Sequence, residues 1–216
     1  MRVLDLDNRQ ETVMQDSRQV AQRVTLSPDG RWLVASDLDE TRFLVWDAQS
    51  GHRINELASG KVGLNAARLD ATFSPDSRWL VTGADREFRF WKTGSWQLKY
   101  RRPAASIAHH AAFAPDGRMV AIPYSRYLVR LLDVASGREI ATLEPPHPEY
   151  ITWLCFTPDA TRLAVAYQTH GIHLWDLRLI REQLAELGLD WDMPAYPPVQ
   201  RAAESEPLRI ELSTAN

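Results

Sequence analysis

The chain has 216 residues, 25 Lys+Arg against 28 Asp+Glu, a formal charge of −3 and 44% apolar residues. That is ordinary globular usage, enough for one or two domains with a sizeable core. The single cysteine, Cys155, excludes an intrachain disulfide framework and a multi-cysteine zinc site; no apolar run approaches the roughly 18–20 residues that cross a bilayer, and the first residues lack the apolar stretch of a secretory signal.

Two short strand-like runs open the chain, Met1 to Leu6 and Glu11 to Gln15. Four related blocks follow, and a repeat of this length governs the whole fold. The first has Ser27-Pro28-Asp29-Gly30, then Arg31-Trp32-Leu33-Val34, and ends at Trp46-Asp47. The second has Ser74-Pro75-Asp76-Ser77, then Arg78-Trp79-Leu80-Val81, and ends at Trp91-Lys92. The third has Ala114-Pro115-Asp116-Gly117 and ends at Leu132-Asp133; the fourth has Thr157-Pro158-Asp159-Ala160 and ends at Trp175-Asp176. The prolines lie 47, 40 and 43 residues apart.

Each block reads as short antiparallel strands. A run before each turn (Val24 to Leu26, Ala71 to Phe73, Ala111 to Phe113, Trp153 to Phe156) is rich in β-branched or apolar residues. Proline at the second turn position sets φ, and Gly or a small polar residue suits the last positions. Second runs follow at Trp32 to Ala35, Trp79 to Thr82, Met119 to Ile122 and Leu163 to Ala166. Third runs are Phe43 to Trp46, Phe88 to Trp91, Leu128 to Leu132 and Ile172 to Trp175. Fourth runs, Arg53 to Leu57, Gln97 to Tyr100 and Glu139 to Leu143, occur in three blocks; the last block has none. Four strands per 40–45 residues is the period of a propeller blade.

The blocks resemble WD40 repeats. Trp46-Asp47 and Trp175-Asp176 close the first and fourth, Trp91 and Asp133 keep one member of that pair in the second and third, and all four carry SPDG-type turns. The resemblance covers about residues 1–176 and implies an all-β propeller, with blades near 20–57, 65–100, 106–143 and 150–176 and a remnant of a preceding blade at 1–16. It departs from the family in places. The Gly-His pair that starts a repeat is missing, and only His147 stands at a comparable distance before its turn. The aspartate of the second-to-third strand turn is matched by Asp39 and Asp85 alone, so the family's buried hydrogen-bond network is incomplete. Where the family pattern holds, His147 caps a blade connection.

Met1 to Leu6 resembles the third strand of a further block, with Asp5 in the place of the closing aspartate, and Glu11 to Gln15 resembles a fourth. Glu11 to Gln15 could complete the last blade beside Ile172 to Trp175, but Arg2 to Leu6 would then be surplus. The duplication favours an open arc of about four blades over a closed ring. An open edge is prone to pairing, so self-association through the blade edges, or membership of a longer protein, is expected.

After Asp176 the pattern turns helical. Leu177, Ile180, Leu184 and Leu187 share one face, Asp176 suits the N-cap and Gly188 the stop, predicting a helix over 177–188 that packs on the last blade or covers its edge. Leu189, Trp191 and Met193 continue that packing, and Met193 to Pro198 is an extended strap. Residues 189–216 form an extended, partly flexible tail, with a linker at Gln200 to Glu206 and a candidate strand at Leu208 to Leu212. This ending is similar to the WD40 regions of large bacterial proteins of planctomycete type, which implies a propeller accompanying a serine/threonine kinase or a helical repeat; no kinase motif is present in the sequence.

No catalytic or cofactor motif is present, and none is expected to be needed: no nucleophile elbow, HExxH helix or phosphate-binding glycine loop occurs, and Gly60-Lys61-Val62-Gly63 reads as a blade connector. His109 and His110 are strand neighbours on opposite faces, and His170 and His173 lack same-face spacing, so neither pair suits a metal. His52 reads as exposed, and Cys155 as a small buried thiol. Arg31, Arg78, Arg118 and Arg162 read as one repeated position after the turn, arrayed on one rim. On the opposite rim Arg86, Arg101, Arg102, Tyr124, Arg126 and Tyr127 are the candidate partner contacts, being the residue types that dominate binding hot spots. Seven acids against three arginines after residue 180 leave a near-neutral body, which lacks the broad basic footprint of a nucleic-acid binder. The expected function is a non-enzymatic, cytosolic platform for a protein or peptide, without a membrane or nucleic-acid partner; the alternative is an accessory module of a larger signalling protein, and a more remote one is a metal-binding or hydrolytic propeller using His147 with His170 and His173.

Overall fold

The computed structural model describes residues 1–6, 9–16, 20–37, 42–58, 69–84, 86–106, 110–169 and 171–196. Asp39, Asp85, the Gly60–Gly63 loop, His109, His170 and the tail from residue 197, with its expected linker and strand, lie outside them.

The chain opens with a hairpin, β1 (Arg2–Leu4) and β2 (Glu11–Val13), which pair only with each other among the described residues. The first sheet is β3 (Val20–Leu26), β4 (Trp32–Asp37), β5 (Arg42–Asp47) and β6 (Arg53–Ala58), paired in chain order. The second is β7 (Asp70–Phe73), β8 (Trp79–Ala84), β9 (Glu87–Lys92) and β10 (Gln97–Pro103). The third is β11 (Ala112–Phe113), β12 (Met119–Pro123), β13 (Val129–Asp133) and β14 (Glu139–Leu143). The fourth has three strands, β15 (Ile151–Phe156), β16 (Arg162–Tyr167) and β17 (Ile172–Asp176). All pairings are antiparallel. This is an open propeller arc of four blades, and β2 does not complete the fourth sheet.

The Pro-Asp turns explain why each first strand hands over to its second. In the first sheet the Asp29 carboxylate accepts the Arg31 N–H and the Ser27 hydroxyl, while Ser27 Oγ accepts the Trp32 N–H. Ser74, Asp76, Arg78 and Trp79 repeat that set. Ala114 lacks the hydroxyl, so the third turn keeps only the Arg118 N–H to Asp116 bond. In the fourth, Asp159 accepts from the Thr161 N–H. Thr161, not Arg162, therefore holds the repeated position: Ala160 occupies the left-handed slot taken by Gly30, Ser77 and Gly117, which shifts Arg162 one residue into β16, facing Asp176 at 3.5 Å. Hydroxyl and backbone donors hold the Asp159 carboxyl below its ordinary value.

The closing Trp-Asp positions do related work in different ways. Asp47 accepts the Ser50 and Gln49 N–H groups, which folds the turn into β6, and Asp133 does the same with Ser136. Asp176 instead caps α1 (Leu177–Glu186), accepting the Leu179 N–H at 3.0 Å. One residue type at one position thus starts a fourth strand twice and a helix once. Trp46 Nε1 donates to the Gln15 carbonyl and Trp91 Nε1 to Thr82.

Between sheets the side chains interdigitate. Trp32, Val34, Phe43 and Val45 of the first sheet pack on Leu69, Phe73, Leu80 and Trp91 of the second. Val81, Phe88 and Phe90 pack on Ala111, Val120, Ile122 and Leu132 of the third. Met119, Ala121, Val129 and Leu131 pack on Leu154, Phe156, Leu163 and Val165 of the fourth. Each fully buried large apolar side chain contributes about 1.5–3 kcal/mol. Met1, Val3 and Met14 of the hairpin region cover Leu33, Ala35, Leu44 and Trp46.

The tail straps the third and fourth blades. Leu177, Ile180 and Leu184 join the last core, as do Trp191 and Met193. Leu187 and Leu189 are exposed, because the helix ends at Glu186 and its stripe no longer faces the sheet. Arg181 is the tail's anchor: it makes a two-pronged contact with Asp190, both bonds at 2.9 Å, and donates to the Met193 and Pro194 carbonyls. Cys155 is exposed rather than buried. It lies on the face of the fourth sheet that turns away from the third, and no further sheet covers that face among the described residues.

Candidate functional site

Two concave regions among the described residues bear on function. The first is on the axis of the arc, where the innermost segments of all four blades converge around a cavity of about 470 Å³. Asp70, at the start of β7, is nearly buried; its Oδ2 lies 3.2 Å from His110 Nδ1 and 3.1 Å from Arg23 of β3. Burial alone would raise the Asp70 carboxyl. The His110 hydrogen bond, the fields of His110 and Arg23 and the Ala71 N–H outweigh it and hold the group below its ordinary value. The His110 ring stacks on Trp153 of β15, with centroids 4.0 Å apart and planes 8° from parallel. Aspartate, histidine and tryptophan from three blades thus form a spoke that fixes the blades at the axis.

The second is on the rim, a cavity of about 380 Å³ bordered by Arg86, Ser106, Ser125, Arg126 and Tyr150. Backbone pairing holds it in place. Ala104 N–H donates to the Arg86 carbonyl, Ala105 N–H to Tyr124 and Ile151 N–H to Arg126, so each connection is tied to a neighbouring turn. The Arg126 guanidinium lies over the Tyr150 ring and donates to its hydroxyl at 2.6 Å. The described lining contains no carboxylate, so the cavity presents two cations with hydroxyls between them.

The six residues expected to form one patch separate into two groups and an aromatic edge. Arg86 and Arg126 border the rim cavity. Arg101 faces Glu87 at 3.8 Å. Arg102 crosses to the next blade, where its Nε donates to the Gly137 carbonyl at 2.7 Å and its guanidinium lies over Tyr100, so it serves blade packing. Tyr124 lies under the Arg130 guanidinium at 3.4 Å, and Tyr127 stays exposed on the turn. His147 is exposed and makes no hydrogen bond among the described residues; Ile151 N–H to the Arg126 carbonyl ties that segment. Asp70, Arg23, Trp153 and Tyr150 were not singled out by the sequence pattern, and His110 was weighed only with His109 as a metal pair. Their common signal is place: each stands in or beside the lead-in to a first strand, where the repeat is least regular.

Among the described residues no cluster of His, Cys, Asp and Glu is arranged to hold a metal ion, and no helix is long and apolar enough to cross a membrane. Comparison with known proteins gives two findings. The WD40 family (WD domain, G-beta repeat) matches residues 50–92 and 137–176. An 88-residue stretch, 41% of this chain, is 32% identical to the pre-mRNA-processing factor 19 homolog 2 of Arabidopsis thaliana, of which it spans 16%.

Proposed function

We propose that this chain belongs to the WD40 proteins and acts as a non-enzymatic platform that presents its rim to a protein or peptide partner. The two matched repeats and the blade architecture support the family, and propeller rims suit this role because strands hold the loops still while loop chemistry varies. The observation that carries the reading is the rim cavity, where Arg86 and Arg126 from neighbouring blades flank hydroxyls without a carboxylate. That chemistry fits an acidic or phosphorylated peptide. The proposed setting is the cytosol.

The test is a screen of matched phosphoserine and unphosphorylated peptide libraries against the full chain. Selected phosphopeptides should lose binding when Arg86→Glu and Arg126→Glu are combined, by at least about 100-fold for two charge-assisted contacts. Binding unchanged in the double variant overturns the assignment of this site. The alternative, an accessory module of a kinase-containing signalling protein, rests on the tail's resemblance; an adjoining kinase-coding region in the same reading frame decides it.

A further inference from the structure

The polar side chains of the rim cavity are guanidinium groups and hydroxyls. A guanidinium only donates hydrogen bonds. A hydroxyl has one proton to give and an oxygen that accepts, so what it offers a ligand depends on which part the protein already uses.

The turn between β12 and β13 uses the oxygen of Ser125. Its Oγ accepts the Tyr127 N–H at 3.3 Å and the Leu128 N–H at 3.1 Å. Both lone pairs are taken by the backbone, and the proton has no acceptor among the described residues. Tyr150, in the lead-in to β15, is committed in the same sense. Its hydroxyl oxygen accepts from Arg126 Nη1 at 2.6 Å, and the guanidinium sits 5.0 Å from the centre of its ring. An oxygen bonded to a cation is polarised into a stronger proton donor. The protein itself therefore turns both hydroxyls into donors. Arg126 is steadied in return by Tyr150, and Arg86 reaches the same cavity from just before β9. Ser106 adds a hydroxyl that can turn to suit, and no carboxylate lines the cavity among the described residues.

We propose, resting on the rim cavity as the partner site, that the group it takes is a phosphate monoester in its doubly charged form, carried on a residue of the partner, and that the Ser125 and Tyr150 hydroxyls donate to it beside Arg86 and Arg126. Charge is the first reason to choose it over an aspartate or glutamate. Two guanidinium groups facing no lining carboxylate balance two negative charges, and a carboxylate carries one. Acceptor capacity is the second. Two planar forks of N–H groups and two donor hydroxyls outnumber the roughly four lone-pair sites of a carboxylate. The three terminal oxygens of a phosphate monoester accommodate them all. A cavity of about 380 Å³ holds a phosphorylated side chain.

The experiment is a titration of the full chain followed by nuclear magnetic resonance at the arginine side-chain N–H signals. The probes are N-acetyl-O-phosphoserine N-methylamide, its phosphate methyl ester with a single negative charge, the matching N-acetylglutamate N-methylamide, and inorganic phosphate. The phosphoserine probe should bind at least about 10-fold more tightly than the methyl ester or the glutamate probe. It should also bind more tightly than inorganic phosphate. Ser125→Ala and Tyr150→Phe should each shrink the phosphoserine-to-glutamate ratio at least about 3-fold. A turn that merely loosened would weaken both probes together and leave the ratio alone. Equal binding of the glutamate or methyl ester probe overturns the phosphate assignment and leaves the rim as an acidic-peptide site. Equal binding of inorganic phosphate overturns the phosphorylated residue in favour of the free ion. A ratio unchanged in both variants overturns the role of the hydroxyls. Arginine signals that respond to no probe remove the rim site itself.

Discussion

Phe88 and Phe90 in β9, and Ile172 and Leu174 in β17, occupy the same two positions of the repeat and meet opposite fates. The phenylalanines lie fully buried between the second and third sheets, whereas the aliphatic pair is more than half exposed at the end of the arc. The contrast separates two things that an alternating apolar pattern merges. The pattern sets which face of a strand is apolar. Whether that face is covered depends on what stands next to it, and in a propeller the neighbour lies a whole block away.

The largest expected effect comes from removing a side chain on the covered side. Phe90→Ala should destabilise the chain by about 3–5 kcal/mol, the usual cost of emptying a buried aromatic site. Leu174→Ala, measured in dilute solution, should cost under about 1 kcal/mol, since most of its surface is already in water. Denaturant midpoints at constant slope check the pair, and equal losses would break the contrast.

A smaller effect is expected at the axis. Asp70→Asn leaves His110 and Arg23 without their shared acceptor charge and should cost about 1.5–3 kcal/mol at neutral pH, in the range of hydrogen bonds to charged groups. The folded Asp70 carboxyl titrates below its ordinary value. Its contribution is therefore complete above the unfolded value of about 4 and is lost as acid takes the pH down through the folded value. The stability difference between wild type and Asp70→Asn should accordingly hold from neutrality to about pH 5 and shrink below about pH 4. A difference that grows on acidification would mean that the carboxylate is not held by these partners.

Much of the arc was readable from residues alone, because its signals are local. The Ser-Pro-Asp turns, the β-branched runs and the helical face after Asp176 each specify their own element, and each lies where the strands and α1 are found. The two extra strands at the start, and a fourth sheet of three strands among the described residues, were likewise visible as a count. Cys155 shows where such reading stops. Its alternation with Leu154 and Phe156 places it on a different face from theirs, and it is exposed because no further sheet lies on that face among the described residues. The rim patch failed to appear as one unit for a related reason. Arg101 and Arg102 are neighbours in β10 and point to opposite sides, so Arg102 reaches Gly137 of the next blade while Arg101 stays with Glu87. The axial spoke joins Asp70, His110 and Trp153 across three blocks, and no spacing within one block encodes it.

Cys155 also offers the most direct test of the account. It is the chain's single thiol and sits on the bare face of the fourth sheet. The measurement is the rate of its reaction with a small thiol reagent under native conditions, set against the rate for the chain unfolded in denaturant. The account predicts that the folded chain labels at a rate close to that of the unfolded chain, because the thiol lies in the open. Labelling that proceeds only as the chain unfolds would contradict it.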